Sequence, residues 1–159
     1  MKLFKIFNIA DNNTHCVNNL TVKKVETEQE LEQVFNIRKR VFIEEQKVPE
    51  KIEMDEFDKT SEHFIAFLGK KPIGCARVRT NTFVKLERIA ILKEYRRKGY
   101  GKKLTEFLIN YCKKNKSNEI LIHSQKYITD FYKKFGFKTI GKPFDEAGID
   151  HIKMVLKLV

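Results

Sequence analysis

From Leu20 onward, apolar and polar residues alternate through LTVKKVE as they do in a strand, whose successive side chains point to opposite faces. Directly after it, Leu31, Val34, Phe35, Val41 and Phe42 recur at helical spacing. Thr27 and Glu30 precede them as a capping box, in which hydroxyl and carboxylate satisfy exposed amides at a helix start. The pattern predicts a helix from Glu28 to Glu44. Periodicity is lost in EEQKVPEKIEMDEFDKTSE, which contains Pro49 and reads as a loop.

Three strand-like runs follow, HFIAFLG, KPIGCARVRT and TFVKLERIAI, separated by GKK and TNT, short enough for antiparallel hairpins. Beyond them Leu104, Phe107, Leu108, Tyr111 and Cys112 form the apolar stripe of a helix that ends in lysines, which suit its negative end. A strand EILIH, a helix KYITDFYKKF closed by Gly136, and two strands, KTI and HIKMVLKLV, complete the order. Strands outnumber helices and alternate with them. That order excludes an all-helical binder and predicts a mixed, mostly antiparallel sheet flanked by helices, in one domain spanning residues 1–159.

Composition agrees with a folded domain: 42% of the residues are hydrophobic and 33% charged. No apolar run reaches the roughly 18 residues of a membrane span. The N-terminal MKLFKIFNIADNNTHC turns polar at Asn8 and Asp11, too soon for a secretory leader, so the expected compartment is the cytoplasm. Cys16, Cys75 and Cys112 cannot pair completely and form no CxxC, so neither a disulfide framework nor a metal site is expected. Cys75 and Cys112 read as small core residues. The net charge of +11 points to an anionic partner: nucleic acid, a membrane surface or a phosphorylated small molecule. The lysines behind it are spread over nearly every segment, as on a solvated surface. Against that background the acidic stretch from Glu44 to Glu62 stands out; it reads either as ordinary solubility or as a wall attracting a cationic acceptor.

One segment carries specific chemistry. In LERIAILKEYRRKGYGKKL, Gly99 and Gly101 stand at the mouth of the second helix, where glycine costs roughly 1 kcal/mol against alanine. Bare backbone there lets phosphate oxygens reach amides that have no acceptor inside the helix, at the positive end of its dipole. Arg96, Arg97, Lys98, Lys102 and Lys103 surround the same point. Neither GxxxxGK[ST] nor GxGxxG is present, which removes simple nucleotide triphosphatase and Rossmann readings.

Arg96-x-x-Gly99-x-Gly101, preceded by LERIAI and followed by an amphipathic helix, resembles the pyrophosphate-binding signature of the GNAT superfamily of acyl-CoA-dependent N-acyltransferases. FYKKFGF, from Phe131 to Phe137, resembles the second half of the same pattern, and the likeness covers Leu20 to Leu158. VFIEEQKVP with EMDEFD, EHFIA, IHSQ and FDEAGIDHIKM is similar to a branch of predicted bacterial and archaeal acetyltransferases with mostly undefined acceptors. VFIEEQ also resembles part of the acyl-homoserine-lactone synthases, which share the fold, but the other motifs follow the acetyltransferase branch.

The resemblance implies the acyl-CoA N-acyltransferase fold, with about six to seven strands, and acetyl transfer from acetyl-CoA to an amine by direct attack. It places Ile89, Ala90 and Ile91 along the pantetheine arm. Arg96, Arg97, Lys98, Gly99, Tyr100, Gly101 and Lys102 then fall around the pyrophosphate. Glu87 is implied as the base that deprotonates the amine, on an expected shared strand parity with Ile89 and Ile91; the other reading is a salt bridge with Arg88 or a neighbouring lysine. Tyr132 is implied as the acid for the departing thiolate. Glu45, His123, Glu146 and His151, with Ser124 and Gln125, are implied on the acceptor side, or are satisfied structural groups; His123 and His151, as a pair in strands of the C-terminal half, are the alternative carriers of the acceptor's proton if Glu87 is not the base. No metal is expected; the implied partners are acetyl-CoA and an unidentified amine, and the resemblance is compatible with a homodimer. Two other readings stay open: a CoA-sensing or structural module that transfers nothing, and a basic nucleic-acid binder, for which the chain has no aromatic RNA-binding signature or recognition helix.

Overall fold

The computed structural model describes residues 19–158; the N-terminal stretch read above, with Asn8, Asp11 and Cys16, lies outside them. Seven strands form one sheet: β1 (Leu20–Lys24), β2 (Glu62–Leu68), β3 (Lys71–Thr80), β4 (Val84–Ile91), β5 (Glu119–Gln125), β6 (Lys138–Glu146) and β7 (Ile149–Lys157). Their spatial order is β1-β2-β3-β4-β5-β7-β6, and every pairing is antiparallel except β4 with β5. The expected mixed, mostly antiparallel sheet is therefore present.

Helices cover both faces. On one, Val34, Ile37 and Val41 bury against Ile65, Cys75, Ala90 and Leu92. These residues come from α1 (Glu28–Arg38) and its continuation, a π-helical segment over Lys39–Glu45. On the other face, Leu104, Leu108 and Cys112 of α3 (Tyr100–Lys114) and Tyr132 of α4 (Thr129–Lys133) pack with Phe64, Ala76, Leu86, Ile91, Ile122 and Met154. Burial of each large apolar side chain contributes roughly 1.5–3 kcal/mol. Cys75 and Cys112 sit in these two cores, as read from sequence.

The single helix expected from Glu28 to Glu44 changes register at Lys39. Gln46 N–H donates to Val41 O at 3.2 Å, one residue beyond the α-helical partner, and the wider turn carries Glu45 and Gln46 toward the middle of the sheet. The start is capped by Thr27, whose hydroxyl accepts from Glu30 N–H at 3.1 Å. Glu30 in turn accepts from Glu26 N–H at 2.9 Å, one residue earlier than a simple capping box has it. A short helix, α2 (Glu50–Glu53), lies in the stretch read as a loop.

Two features of β4 shape the centre of the molecule. Its pairing with β5 stops after three rungs, at Leu86 opposite Ile122, although β4 runs on to Ile91 and β5 to Gln125. The sheet is split beyond that point. On its other side β4 carries a bulge: Glu87 is opposite Arg77 and Ala90 opposite Cys75, so Arg88 and Ile89 face the single residue Ala76. Arg88 takes the extra place at φ 54°.

Candidate active site

At the mouth of the split the chain turns through Arg97 at φ 60° and Gly99 at φ 83° into α3. A left-handed residue at Gly99 favours glycine, and a Cβ built there would meet nothing within 4 Å, so the approach is open. Lys103 N–H donates to Gly99 O at 3.2 Å, which leaves the amides of Tyr100, Gly101 and Lys102 without an acceptor in the helix. Gly101 lies between Ile91 and Phe131, 3.8 and 3.9 Å from the position of a Cβ. The end of β4, the start of α3 and α4 therefore converge on this loop. These bare, outward amides fit a diphosphate.

Side chains in the loop have other duties. Arg96 donates from Nε to Ile91 O at 2.8 Å and from Nη1 and Nη2 to the two Glu45 oxygens at 2.6 and 2.8 Å. Its guanidinium braces the loop against the π-helical segment, so Glu45 is engaged with the loop rather than with the other acceptor-side candidates. Lys98 Nζ caps Glu94 O at 3.1 Å, Lys102 pairs with Glu106 at 3.8 Å, and the Tyr100 ring is buried in the core. Ile89 and Ile91 join the core on the α3 face, whereas Ala90 belongs to the α1 face.

Glu87 does not share a face with Ile89 and Ile91, because the bulge at Arg88 inverts the alternation between them. It points to the α1 face, where Arg77 donates to it from Nε at 3.0 Å and Nη2 at 2.7 Å. Arg79 Nη2 and Lys85 Nζ each lie 3.0 Å from its other oxygen. Burial alone would raise its pKa, but Arg77 and Lys85 outweigh burial and hold the carboxyl below the usual carboxylate range. The structure thus gives the salt-bridge reading of Glu87 its partners, Arg77, Arg79 and Lys85 in place of Arg88.

The acidic stretch closes the same network from the opposite side. Arg38, with 0% exposure, binds Glu53 Oε1 and Asp58 Oδ1, both at 2.6 Å. Arg77, 1% exposed, reaches Asp55 Oδ1 at 2.5 Å and Asp58 Oδ1 at 2.8 Å. Arg88 reaches Glu53 at 2.7 Å and Asp55 at 3.2 Å. Glu53, Asp55 and Asp58 are therefore neutralised from within, and Glu62 pairs with Lys24 and accepts from Tyr111; they do not form a free anionic wall.

Across the split, three other candidates meet around Phe144. His123 Nδ1 is 3.4 Å from Glu146 Oε2 and 3.2 Å from Lys85 Nζ, and its ring meets Phe144 edge-on at 5.0 Å. His151 stacks on Phe144 at 6.0 Å, with Nδ1 2.7 Å from Ile149 O. The contact with His123 pulls the Glu146 pKa down to about 2. Gln125, at the end of β5, accepts from Tyr127 at 2.5 Å and donates to Gln46 at 2.8 Å, tying β5 to the π-helical segment. Ser124 is buried, its hydroxyl donating to Gln125 O at 3.0 Å.

Tyr132 lies on the α3 side, edge-on to Phe131 and Phe137. Burial pushes its phenol pKa well above 10, so it keeps its proton. Cys75 is sealed in the core with its thiol pushed up to about 12 by burial. Among the described residues, no group of three His, Cys, Asp or Glu is placed to hold a metal ion, and no helix is long and apolar enough to cross a membrane.

Sequence reasoning missed Lys85, Arg77 and Phe144. Arg77 and Lys85 stand on strands, at positions of the alternation that face the sheet's interior, an unusual place for a charge without a partner.

This split sheet with a bare helix start at its mouth defines an acyl-CoA N-acyltransferase fold, and the chain belongs to the GNAT family: the model of the acetyltransferase (GNAT) domain matches residues 22–158. A Bacillus subtilis protein whose name places it among the acetyltransferases is 40% identical over 139 residues, 85% of this chain and 95% of that one. A crystal structure of an N-acetyltransferase homologue from Lactobacillus plantarum superposes with TM-score 0.83 at 22% identity, covering 89% of this chain and 100% of that one. A GNAT family acetyltransferase from Elizabethkingia anophelis, solved with acetyl-CoA bound, superposes with TM-score 0.69 at 18% identity, over 89% and 99% of the two chains. Family and relatives together support acyl transfer as the activity.

Proposed function

We propose that this protein transfers an acetyl group from acetyl-CoA to a primary amine by direct attack. The observation that carries the reading is the sheet split beyond Leu86 and Ile122 with the uncapped amides of α3 at its mouth. The acetyl-CoA bound by the Elizabethkingia relative extends the same reading to this chain. Bound there, acetyl-CoA supplies an acyl thioester.

The chain's own residues then have distinct tasks. Amides of Gly99 to Lys102 hold the pyrophosphate, with Arg97 and Lys98 nearby. Ile89 to Ile91, unpaired on the β5 side, line the pantetheine arm, and an amide near Ile89 polarises the thioester carbonyl; such a donor is typically worth roughly 3–4 kcal/mol. Tyr132, on the same face as that arm, offers its O–H to the departing sulfur. Cys75, with no accessible thiolate, supports direct transfer over a covalent acyl-enzyme.

Calorimetry with acetyl-CoA and thiol release with a panel of amines test the reading. The panel is a diamine, a polyamine, an amino sugar, a free amino acid and a lysine peptide. Gly99→Val, which puts a branched side chain at φ 83°, should weaken acetyl-CoA binding at least about tenfold. Y132F should lower kcat about a hundredfold with little change in acetyl-CoA affinity. Failure of the wild type to bind acetyl-CoA refutes the proposal; tight binding without thiol release on any amine identifies a sensing module instead.

A further inference from the structure

We infer that His123 is the base that receives the acceptor's proton and that Glu146 positions it; this rests on the transfer reading above. His123 is the first residue of β5 beyond Ile122, the last to pair with β4, so it stands where the split opens. Ile120 and Ile122 belong to the α3 core, and by alternation His123 points to the opposite face. The carrier's phosphates are held on the α3 side. A group at the fork that faces away from them meets an acceptor entering from the other side.

The imidazole is held by one edge only. With the ring hydrogen on Nδ1 directed to Glu146 Oε2 at 3.4 Å, the Nε2 lone pair is free and has no protein partner among the described residues; Phe144 supports the ring, the side chain is 28% exposed, and Lys85 Nζ, 3.2 Å from Nδ1, does not donate to it in this tautomer and binds Glu87 instead. Charged groups face it from three strands: Lys85 of β4, already paired with Glu87; Glu146 of β6; and Lys153 of β7, opposite His123 in register. Glu146 stays ionised through the neutral range, so it accepts from Nδ1–H and orients the ring without becoming the base itself.

The other titratable groups on this face are spoken for. Glu87 is clamped by three cations, and Asp55 and Asp58 by arginines. His63 is buried with Nε2 on Asp58 O at 2.8 Å; His151, like His123, engages only Nδ1, here on Ile149 O, and is set apart by its burial, at 8% exposure. In the step assigned here, Nε2 takes one proton from the ammonium group of the acceptor and later returns it to water. The freed nitrogen lone pair forms the C–N bond as the C–S bond breaks, and a second N–H proton ends on the sulfur through Tyr132. Products are the amide, the thiol and one released proton.

The test uses the full chain, the amine of the panel that supports turnover, and pH profiles of kcat/KM alongside acetyl-CoA affinity. His123→Gln is expected to lose about a hundredfold or more in kcat with unchanged acetyl-CoA affinity, and its profile to lose the acid limb. Added imidazole should restore part of the rate in His123→Ala. Glu146→Gln should lose roughly tenfold in kcat with unchanged acetyl-CoA affinity and melting midpoint, and Glu146→Asp should recover part of the rate, a pattern that a merely structural role would not produce. His123→Gln retaining activity within about threefold, with the wild-type profile, overturns the inference and leaves transfer standing. Wild-type protein that binds acetyl-CoA yet releases no thiol with any amine overturns both.

Discussion

Replacing Glu87 with glutamine separates the two roles open to that residue. The carboxylate is 7% exposed and takes four contacts of 2.7–3.0 Å from Arg77, Arg79 and Lys85. Glutamine keeps the shape and one acceptor, but turns an N–H₂ toward cations that were paired. Removing one partner of a buried ion pair costs about 3–5 kcal/mol. Arg77 keeps Asp55 and Asp58, which favours the lower end, about 3 kcal/mol. At about 2–4 °C per kcal/mol for a chain of this size, the melting midpoint should fall by roughly 6–12 °C. Thermal and urea unfolding at neutral pH measure this, with kcat and acetyl-CoA affinity followed in parallel. Adding Lys85→Met should recover part of the loss, with a coupling energy of about 0.5–3 kcal/mol between the neighbours. A base would behave in the opposite way, losing about a hundredfold in kcat at unchanged stability. E87Q melting within about 2 °C of wild type while turnover collapses would refute the structural assignment.

Gly74→Ala should destabilise by about 1–3 kcal/mol and weaken acetyl-CoA binding. Its Cβ would lie 2.5 Å from Ile91 Cδ1 and 2.9 Å from Ala90 O; the side chain can swing aside but the carbonyl cannot, so β4 must move. An unchanged melting midpoint counts against that packing. Acid should unfold the protein in two stages. Burial lowers the His63 pKa, so the unfolded chain binds that proton first and stability declines as pH falls below about 6.5. Asp55, Asp58 and Glu87 are held below their ordinary values by arginine and lysine in spite of burial. Their stabilisation is complete above the unfolded pKa values and drains away below about pH 4. Urea midpoints at pH 7.5, 5.5, 4 and 3 measure both stages; H63Q should lose the first, and a flat profile down to pH 3 contradicts the buried network.

The element order was legible because the apolar pattern changes period wherever the backbone does, from alternation in β2 to the helical stripe of α3. The switch to a π-helix at Lys39 was hidden: Val41 and Phe42 keep their apolar spacing while only the hydrogen-bond partner moves by one residue. Arg88 gave no local sign of its positive φ, because glycine or asparagine is the usual marker and the contacts holding Arg88 come from Glu53 and Asp55. The acidic stretch misled for a related reason. The partners of Glu53, Asp55 and Asp58 lie on α1, β3 and β4, so the charge of these three looks unbalanced only along the chain. A usable signal was nevertheless present in residue choice. Most of the 32 basic residues are lysine, yet Arg38 falls on the apolar stripe with Val34 and Val41, and Arg77 and Arg79 fall within a strand. Arginine is preferred where a buried cation must bind several carboxylate oxygens in a fixed plane.

One extra residue therefore decides which reactant each candidate group can meet. Without a bulge, strict alternation would put Glu87, Ile89 and Ile91 on one face, and the carboxylate would lie beside the carrier arm. With Arg88 inserted, Ile89 and Ile91 turn toward α3 and its open amides, while Glu87 turns toward Lys85 and the His123–Glu146 pair. The two strands part at the same level, since Leu86 and Ile122 make the last rung. In the proposed reaction an amine approaching from the α1 face would reach the fork without crossing the loop at Gly99, and the proton it gives up would have a path separate from the proton that ends on sulfur. The buried arginines fit this division: by binding Glu53, Asp55, Asp58 and Glu87 internally, they leave Glu146 as the carboxylate beside the ring at the opening.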